Sequence, residues 1–255
     1  MFTTPNNQPQ SSLGKSAANS SLTSSRMIRP DDLQLVSQIP GIVALARDED
    51  LRIFWHSQSF TANFEGSNGG QDLIGTSLHD VLTPSAARER EPLHREVIFS
   101  GKANSHYRFC HDTRLLCTIF PLDRDAFGHD GTFTIIAEAP TTAQAPDDEK
   151  IPVLISPNLF ELSVLSTREL EVLHHIAKGL STNVIAEILS RSSKTVEKQV
   201  NSIHSKLKTS SRAELVRYAT ERGIQSFSDE DWSSIVEGAK VIRRERRELE
   251  TRKAS

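Results

Sequence analysis

Polar side chains between residues 193 and 207 have the types and spacing that recognition of DNA bases requires. Lys198 and Asn201 are three residues apart, so on a helix they project from the same face. Lysine can donate to guanine O6 and N7, and asparagine can pair with adenine N6 and N7. Glu197 can accept from cytosine N4, but a solvated position at the flank of the helix explains this glutamate equally well.

Apolar residues of the same segment determine which face stays exposed. They recur in steps of three and four residues, which predicts a helix over 193–207 with one buried stripe. The stripe consists of Val196, Val200, Ile203 and Leu207. The opposite side carries Lys194, Lys198, Asn201 and Ser205.

The charge of this region differs from that of the whole chain. The 255 residues carry a formal net charge of −3. Residues 178–212 nevertheless hold seven lysines and arginines against two glutamates, whereas residues 1–138 hold 12 basic against 16 acidic residues. A basic surface within an acidic chain is typical of phosphate binding, although a charge run by itself also fits a solvated helical face.

Residues 165–223 divide into four predicted helices. Ser166 and Glu169 have capping-box spacing at the start of the first helix, which Gly179 ends. Ser211 and Glu214 repeat this spacing at the start of the fourth. The second helix is expected to begin at Ser181 and to bury Ile185, Ile188 and Leu189.

These elements together resemble the LuxR-type helix-turn-helix domain. The residues that carry the resemblance are Leu165 to Leu173, Ile176 to Ser181, Ile185-Ala186, Lys194 to Glu197 and Lys206-Leu207. The resemblance implies a four-helix domain that binds double-stranded DNA and controls transcription. It also implies that the third helix reads bases and that the fourth often pairs two copies.

Position in the family implies specific DNA contacts. The base contacts fall on Glu197, Lys198 and Asn201, and the phosphate contacts on Lys194, Thr195 and Lys206. Three residues depart from the usual pattern, namely Arg191, Gln199 and Thr209, and Ser181-Thr182-Asn183 lacks a lysine that is common after the glycine. These departures affect the expected affinity and target sequence rather than the fold.

The segment before residue 139 has a mixed pattern. A predicted hairpin over 42–55 precedes helices over 57–100, the last of them over 85–99, and strands are expected over 107–110, 115–120 and 132–138. With Ile39 to Val43 and Asp72 to Ser77, this order resembles the PAS domain, a small sensory and dimerisation module. The expected fold class is α+β, with a PAS-like five-stranded antiparallel sheet and helices linked to an all-α four-helix helix-turn-helix domain.

Composition sets the predicted domain limits. A polar, Ser- and Asn-rich stretch predicts a disordered arm, and four prolines mark a linker. The expected division is 1–29 arm, 30–138 PAS-like domain, 139–158 linker, 159–225 DNA-binding domain and 226–255 C-terminal helical extension. The extension is either packed on its own domain or a dimerisation helix whose arginines at 243–247 touch the flanks of the DNA.

The signal that the PAS-like segment senses stays open. His79 and His94 are haem-ligand candidates, with surface or core histidines favoured. Cys110 and Cys117 fit buried thiols better than a redox switch. Core packing is likewise favoured over a ligand pocket for Phe54, Trp55, Phe60, Phe64, Phe109 and Phe120. No metal site is identified, and the ligand and cofactor are unknown.

Other function classes lack their sequence signatures. The first segment does not alternate strands and helices, which argues against a phosphoacceptor receiver. The sequence also lacks G-x-S-x-G, P-loop and H-E-x-x-H motifs, which argues against an enzyme. The sequence has no run of about 20 apolar residues and no secretory signal, so a cytoplasmic protein is expected.

The expected function is therefore that of a DNA-binding transcriptional regulator. A homodimer is expected, modulated by a small-molecule or protein signal, with RNA polymerase left open as a partner. The alternatives are a regulator whose PAS-like domain only docks a protein or dimerises, and a sigma-factor-like subunit.

Overall fold

The computed structural model describes residues 27–62, 73–139 and 151–254. Most of the predicted arm, Phe64, Asp72 and residues 140–150 of the predicted linker lie outside these ranges. Within them, no helix has the length and apolar composition that crossing a bilayer requires.

The N-terminal half is built on one antiparallel sheet. Its strands are β1 Val43–Asp48, β2 Ile53–His56, β3 Asn104–Cys110, β4 Thr113–Pro121 and β5 Gly131–Glu138. They lie side by side in the order β2-β1-β5-β4-β3, and every neighbouring pair is antiparallel. The five-stranded antiparallel sheet that the sequence predicts is confirmed.

Helices cover both faces of this sheet. They are α1 Pro30–Ser37, α2 Gln58–Ala62, α3 Leu78–Val81, α4 Pro84–Ser100 and α5 Arg124–Phe127. α4 ends at Gly101, whose φ of 66° lies in the left-handed region that glycine adopts without strain. Leu33 of α1 packs with Ala44, Ala46 and Phe133 on one face, while α2, α3 and α4 lie on the other.

The C-terminal half is all α. It contains a 3₁₀ helix at Glu161–Val164, then α6 Thr167–Ala177, α7 Thr182–Ile188, α8 Ser193–Leu207, α9 Arg212–Glu221, a second 3₁₀ helix at Ile224–Ser226 and α10 Asp229–Ala254. The apolar face predicted for the extension is buried against this half, and Trp232 Nε1 donates to the Leu170 carbonyl at 2.9 Å. α10 therefore packs on its own domain, and it also contacts the first half, where Glu245 accepts from Ser85 Oγ at 2.6 Å.

Two expectations need correction or refinement. Ile188 was expected in the core but is 50% exposed, because a seven-residue helix presents only a narrow stripe and Ala186 fills the place beside Ile185. Cys110 and Cys117 are buried, as expected, and they share a face of the sheet. Cys117 lies opposite His106, however, so the two cysteines are four positions apart, about 13 Å along the strands, and too distant for a disulfide.

The two halves of the chain contact each other closely. The Phe109 ring of β3 lies 5.4 Å from the ring of Trp232 in α10, within one buried cluster. Residues 151–158 run along β3: Tyr107 N donates to the Pro152 carbonyl at 2.8 Å, and Leu154 N donates to the Tyr107 carbonyl at 2.8 Å. The strand β3 is thus covered along its outer edge.

The turn between β3 and β4 supports the start of the C-terminal half. The carboxylate of Asp112 accepts hydrogen bonds from the backbone N–H groups of Phe160 at 3.1 Å and Leu162 at 3.2 Å, and from that of Glu161. Asp112 is buried, so these bonds replace the water that its carboxylate has lost. One side chain of the sheet domain therefore caps the first 3₁₀ helix of the next domain.

Candidate nucleic-acid interface

The ends of α8 are defined by local hydrogen bonds. Ser192 is the N-cap, and its Oγ accepts from Thr195 N at 3.1 Å. The Thr195 hydroxyl lies 2.8 Å from the same Oγ, which places Thr195 at the helix N-terminus, where backbone N–H groups favour anions. The helix ends at Leu207, and the C-cap Lys208 has a φ of 54°. The observed bounds, 193–207, are those predicted.

One side of α8 is packed into the domain. Val196 and Ile203 are fully buried, and Val200 and Leu207 are partly buried against the same cluster. The predicted apolar stripe is therefore confirmed, and it fixes the rotation of α8 about its own axis.

The opposite side of α8 faces solvent, as predicted. Lys194, Glu197, Lys198 and Asn201 are all exposed. Within residues 27–62, 73–139 and 151–254, none of these four side chains forms a hydrogen bond or ion pair with another residue. Their donors and acceptors are available to a macromolecule that approaches this face. We call Lys194, Glu197, Lys198 and Asn201 the recognition face.

Lys206 is placed differently from the other expected contacts. Its Nζ lies 2.7 Å and 2.9 Å from the two carboxylate oxygens of Glu169, which also accept from Ser202 Oγ at 2.6 Å and from Ser166 N at 2.6 Å. Burial would raise the pKa of the Glu169 carboxyl, but these bonds outweigh it and hold the pKa at about 2. The ammonium of Lys206 thus joins α8 to α6.

The departures from the family pattern are accommodated by polar contacts. The Arg191 guanidinium binds the Glu171 carboxylate at 2.5 Å and the Gln199 side chain at 3.5 Å. Thr209 Oγ1 lies 2.7 Å from His204 Nδ1. Two of the three departing residues therefore contact each other, which explains how the helix packing tolerates them.

Comparison with known proteins agrees with this geometry. The family model for bacterial regulatory proteins of the luxR family matches residues 163–219. Residues 163–219 form a LuxR-type helix-turn-helix domain.

Curated relatives match about a quarter of the chain. Transcriptional activator protein ExaE of Pseudomonas putida is 46% identical over 63 residues, which are 25% of this chain and 29% of that protein. Oxygen regulatory protein NreC of Staphylococcus carnosus is 47% identical over 64 residues, 25% of this chain and 30% of that protein. The chain thus spans under a third of the length of the curated relatives it matches.

A solved structure of the Vibrio cholerae VqmA dimer, without its target DNA, aligns over more of the chain. The alignment covers 81% of this chain and 93% of that one, at 22% identity and a TM-score of 0.38.

Beside the LuxR-type domain, a compact group of ionisable residues joins α6 to the start of α10. Ring nitrogens of His174 and His175 and the carboxylate of Asp229 lie within 4.8 Å of one another. The Lys178 ammonium binds the same carboxylate at 2.7 Å. Burial, and then the nearby charge of Lys178, lower the pKa of His174 to about 4. Sequence reasoning had not singled out this group.

The sensor candidates occupy several environments. His79 is exposed and pairs with Glu91 at 3.1 Å, whereas His94 is buried with its Nδ1 2.9 Å from Thr132 Oγ1. Phe54, Trp55 and Phe120 pack on the face of the sheet that α1 covers. Phe109 belongs to the core between the two halves, and Phe60 lines a cavity on the other face of the sheet. Three of the candidates, Phe60, His94 and Cys117, line this one cavity, while the other candidates in the described part of the chain lie elsewhere.

Proposed function

We propose that this chain is a sequence-specific DNA-binding transcriptional regulator that inserts α8 into the major groove. One observation carries the proposal: the recognition face of a LuxR-type domain is exposed and unbonded, while the opposite face of the same helix is buried. A helix held by one face and open at the other is what major-groove recognition requires.

The proposed contacts follow from position on α8. Lys198 and Asn201 contact base edges, and Glu197 lies beside them as a third candidate. Lys194 and Thr195, at the helix N-terminus, contact phosphates. Lys206 is proposed as a further phosphate contact, through an ammonium that already binds Glu169.

The proposal includes the expected partners and organisation. Double-stranded DNA is bound by a homodimer in the cytoplasm, and the PAS-like half receives a small-molecule or protein signal. RNA polymerase is a partner if the chain activates transcription. No catalytic step is assigned, and the predicted domain limits, including 159–225 for the DNA-binding domain, remain part of the proposal.

Selection from a pool of random duplexes by the purified full chain, at near-physiological salt, tests the proposal. We expect enrichment of an inverted repeat, because a two-fold dimer reads two equivalent half-sites. Salt-sensitive binding without an enriched sequence would contradict sequence-specific recognition.

Single substitutions then test the recognition face. We expect Lys198→Ala and Asn201→Ala each to lose about 1–3 kcal/mol of discrimination between target and scrambled duplex. Lys240→Ala, which removes an exposed cation from α10, is the matched control and should leave discrimination unchanged. If Lys198→Ala and Asn201→Ala discriminate target from scrambled duplex as well as the Lys240→Ala control does, α8 is not the helix that reads the bases.

A further inference from the structure

Two adjacent histidines near the end of α6 lie beside the first residue of α10. His174 Nδ1 is 3.5 Å from Asp229 Oδ1, and His175 Nδ1 is 3.9 Å from the same oxygen. Ring nitrogens of the two histidines lie within 4.8 Å of each other. Within residues 27–62, 73–139 and 151–254, no other three side chains of histidine, cysteine, aspartate or glutamate converge this closely. The function proposed above makes no use of this group.

The hydrogen bond that His174 forms determines which of its ring nitrogens is free. Its Nε2 lies 3.1 Å from the Phe227 carbonyl oxygen, and because a carbonyl only accepts, Nε2 carries the hydrogen. The pKa of about 4 leaves this imidazole neutral at pH 7, so Nδ1 keeps its lone pair. Metal-bound histidines have the same arrangement, in which one nitrogen binds the ion and the other donates to a carbonyl or carboxylate.

His175 supplies an independent sign of a missing partner. The residue is 6% exposed, and its Nδ1 forms no hydrogen bond with the described part of the chain. Buried polar atoms are almost always bonded. The Asp229 oxygen at 3.9 Å is too distant for a hydrogen bond. A cation that binds Nδ1 and the carboxylate together supplies the partner that this nitrogen lacks.

The donor atoms indicate which cations fit. Two imidazole nitrogens and one carboxylate oxygen suit Zn²⁺ and Co²⁺, whereas Mg²⁺ and Ca²⁺ prefer oxygen ligands throughout. Ligand atoms around a tetrahedral Zn²⁺ are roughly 3.3 Å apart, since each lies about 2.0–2.1 Å from the metal. The separations of 3.5 Å and 3.9 Å are close to this value. The distance between the two imidazoles has to shorten by at most about 1.5 Å when the ion binds.

The site is accessible, and a weaker cation occupies one side of it. The Asp229 side chain is 69% exposed, so an ion can enter from solvent and keep water on its remaining positions. The Lys178 ammonium binds Asp229 Oδ1 at 2.7 Å. Among the described contacts it forms no hydrogen bond with either imidazole, so it neutralises the carboxylate alone. Lys178 is the C-cap of α6 and has a long side chain, which lets the ammonium move into solvent when an ion arrives.

We propose that His174, His175 and Asp229 bind a divalent transition-metal ion of the zinc and cobalt type. The ion displaces the Lys178 ammonium from the carboxylate and joins the end of α6 to the start of α10. Because Trp232, one turn further along α10, packs on Phe109 of the sheet domain, the bound ion also stabilises the contact between the two halves of the chain.

Tryptophan fluorescence reports directly on this site. The ring of Trp232 is stacked on that of His174, with centroids 5.3 Å apart and an interplanar angle of 18°. The chain has two tryptophans, so Trp55→Phe leaves Trp232 as the only one. A Co²⁺ ion on His174 quenches this tryptophan, because its partly filled d shell accepts excitation energy at short range. Zn²⁺ has a filled d shell and does not quench in this way.

The experiment titrates the untagged, full-length Trp55→Phe chain with Co²⁺ after a chelator has removed any bound metal. We expect saturable quenching with a Kd of about 10 µM, weaker than a closed four-ligand zinc site because one position is contested and another is open. Zn²⁺ should then restore the fluorescence, since it binds nitrogen ligands more tightly than Co²⁺ does, and excess Mg²⁺ should not. Absence of saturable quenching below about 1 mM, or restoration by Mg²⁺ as effective as by Zn²⁺, would overturn the proposal.

Ligand variants locate the bound ion. We expect His175→Leu to weaken Co²⁺ binding at least about tenfold, and to unfold without metal at no lower temperature, because it removes an unpartnered buried nitrogen. Asp229→Asn, at an exposed position, should also weaken binding about tenfold. His79→Gln is the matched control, because His79 likewise pairs with a carboxylate, that of Glu91, and binding should not change. Parent-like binding by both ligand variants would overturn the assignment.

The competing lysine gives a test in the opposite direction. Lys178→Gln should strengthen Co²⁺ binding about fivefold, because the ion no longer has to displace an ammonium from Asp229. The control is Lys240→Gln, which removes a lysine that pairs with Glu237 on the exposed side of α10, and it should leave the affinity unchanged. Unchanged or weaker binding by Lys178→Gln would show that the Asp229 carboxylate is not a ligand and would overturn the three-residue site.

The metal titrations contain no DNA, so their result is independent of the proposed function. A chain that binds Co²⁺ at this site but selects no duplex would retain the metal site and lose the proposed regulator. A chain that selects a duplex but binds no Co²⁺ would do the reverse.

Discussion

The chain places its cations in two opposite settings. On the recognition face, Lys194 and Lys198 are exposed. On the face of the sheet that α2, α3 and α4 cover, Arg47 and Arg90 are more than nine-tenths buried. Exposed charges contribute little to folding and suit a partner whose phosphates stay wet, whereas a buried charge loses its water and depends on hydrogen bonds within the protein, as Arg47 does on the Leu51 carbonyl at 2.8 Å. The two pairs therefore differ in their effect on stability.

Lowering the pH should produce the largest difference between buried and exposed ionisable groups, because only the buried ones lose stability. His174 has a folded-state pKa of about 4 and His106 of about 3, both below the ordinary value of 6.5. Below pH 6.5 the unfolded chain therefore binds more protons than the folded one, and stability falls as pH falls. Each histidine removes about 1.4 kcal/mol per pH unit down to its folded pKa.

Denaturant unfolding between pH 7 and pH 5 measures this effect. Glu169, whose pKa is held at about 2, adds a second loss of stability only as the pH falls below 4.5. Above that value its carboxylate is ionised in both states, and its contribution to stability is complete. His106→Gln should flatten the profile between pH 6.5 and 5, while Lys198→Ala should leave its shape unchanged. A stability that is constant from pH 7 to 5 would contradict the burial of these histidines.

Glu169→Ala should give the largest loss among single substitutions in the DNA-binding half. It removes a capping box and leaves Lys206 and Ser202 without their shared acceptor, and we expect about 3 kcal/mol less stability. The control is Glu187→Ala, an exposed glutamate on α7, which should change stability by less than about 0.5 kcal/mol. Similar values for the two, from urea unfolding, would show that Glu169 does not join α6 to α8.

Asp112→Asn should have a smaller effect. The amide retains one acceptor oxygen for the three N–H groups of the 3₁₀ helix but loses the charge, so we expect a loss of about 1–2 kcal/mol. Asp125→Asn, at an exposed position in α5, provides the comparison. Native-state hydrogen exchange at residues 160–162 should increase in the first variant and remain unchanged in the second.

The smallest expected effect concerns the lysines at the two ends of α8. Lys194→Ala and Lys206→Ala should each reduce the slope of log binding constant against log salt by about 1, because each removes one phosphate contact. Only Lys206→Ala should also lower stability, by about 1 kcal/mol, since Glu169 then loses its ammonium partner. An unchanged slope in Lys206→Ala would remove that residue from the proposed contacts.

Local signals explain what the sequence could predict. Ser166 and Glu169 do form a reciprocal capping box, Gly101 does end α4, and the apolar stripe of α8 is buried as its periodicity indicates. These features depend on residues within one or two helical turns of each other. The strand pattern of the first half was predictable for the same reason.

Long-range contacts explain what the sequence could not predict. Arg47 and Thr134 are ordinary alternating residues of their strands, and only the helices packed over that face make them buried. Asp112 meets its partners about fifty residues further along the chain, as its three hydrogen bonds show. The second role of Glu169, as an acceptor for Lys206, likewise depends on how α6 and α8 pack.

The segment over 151–158 also has a consequence for the solubility of fragments. It occupies the hydrogen-bonding edge of β3, and the fit beside it is close enough that a Cβ at Gly238 would lie 1.6 Å from the Ile155 carbonyl oxygen. A fragment that ends before residue 151 therefore exposes the backbone groups of Tyr107 and Phe109 on an open strand edge. Open edges pair with the edges of other molecules, so the isolated sheet domain should self-associate and aggregate where the intact chain does not.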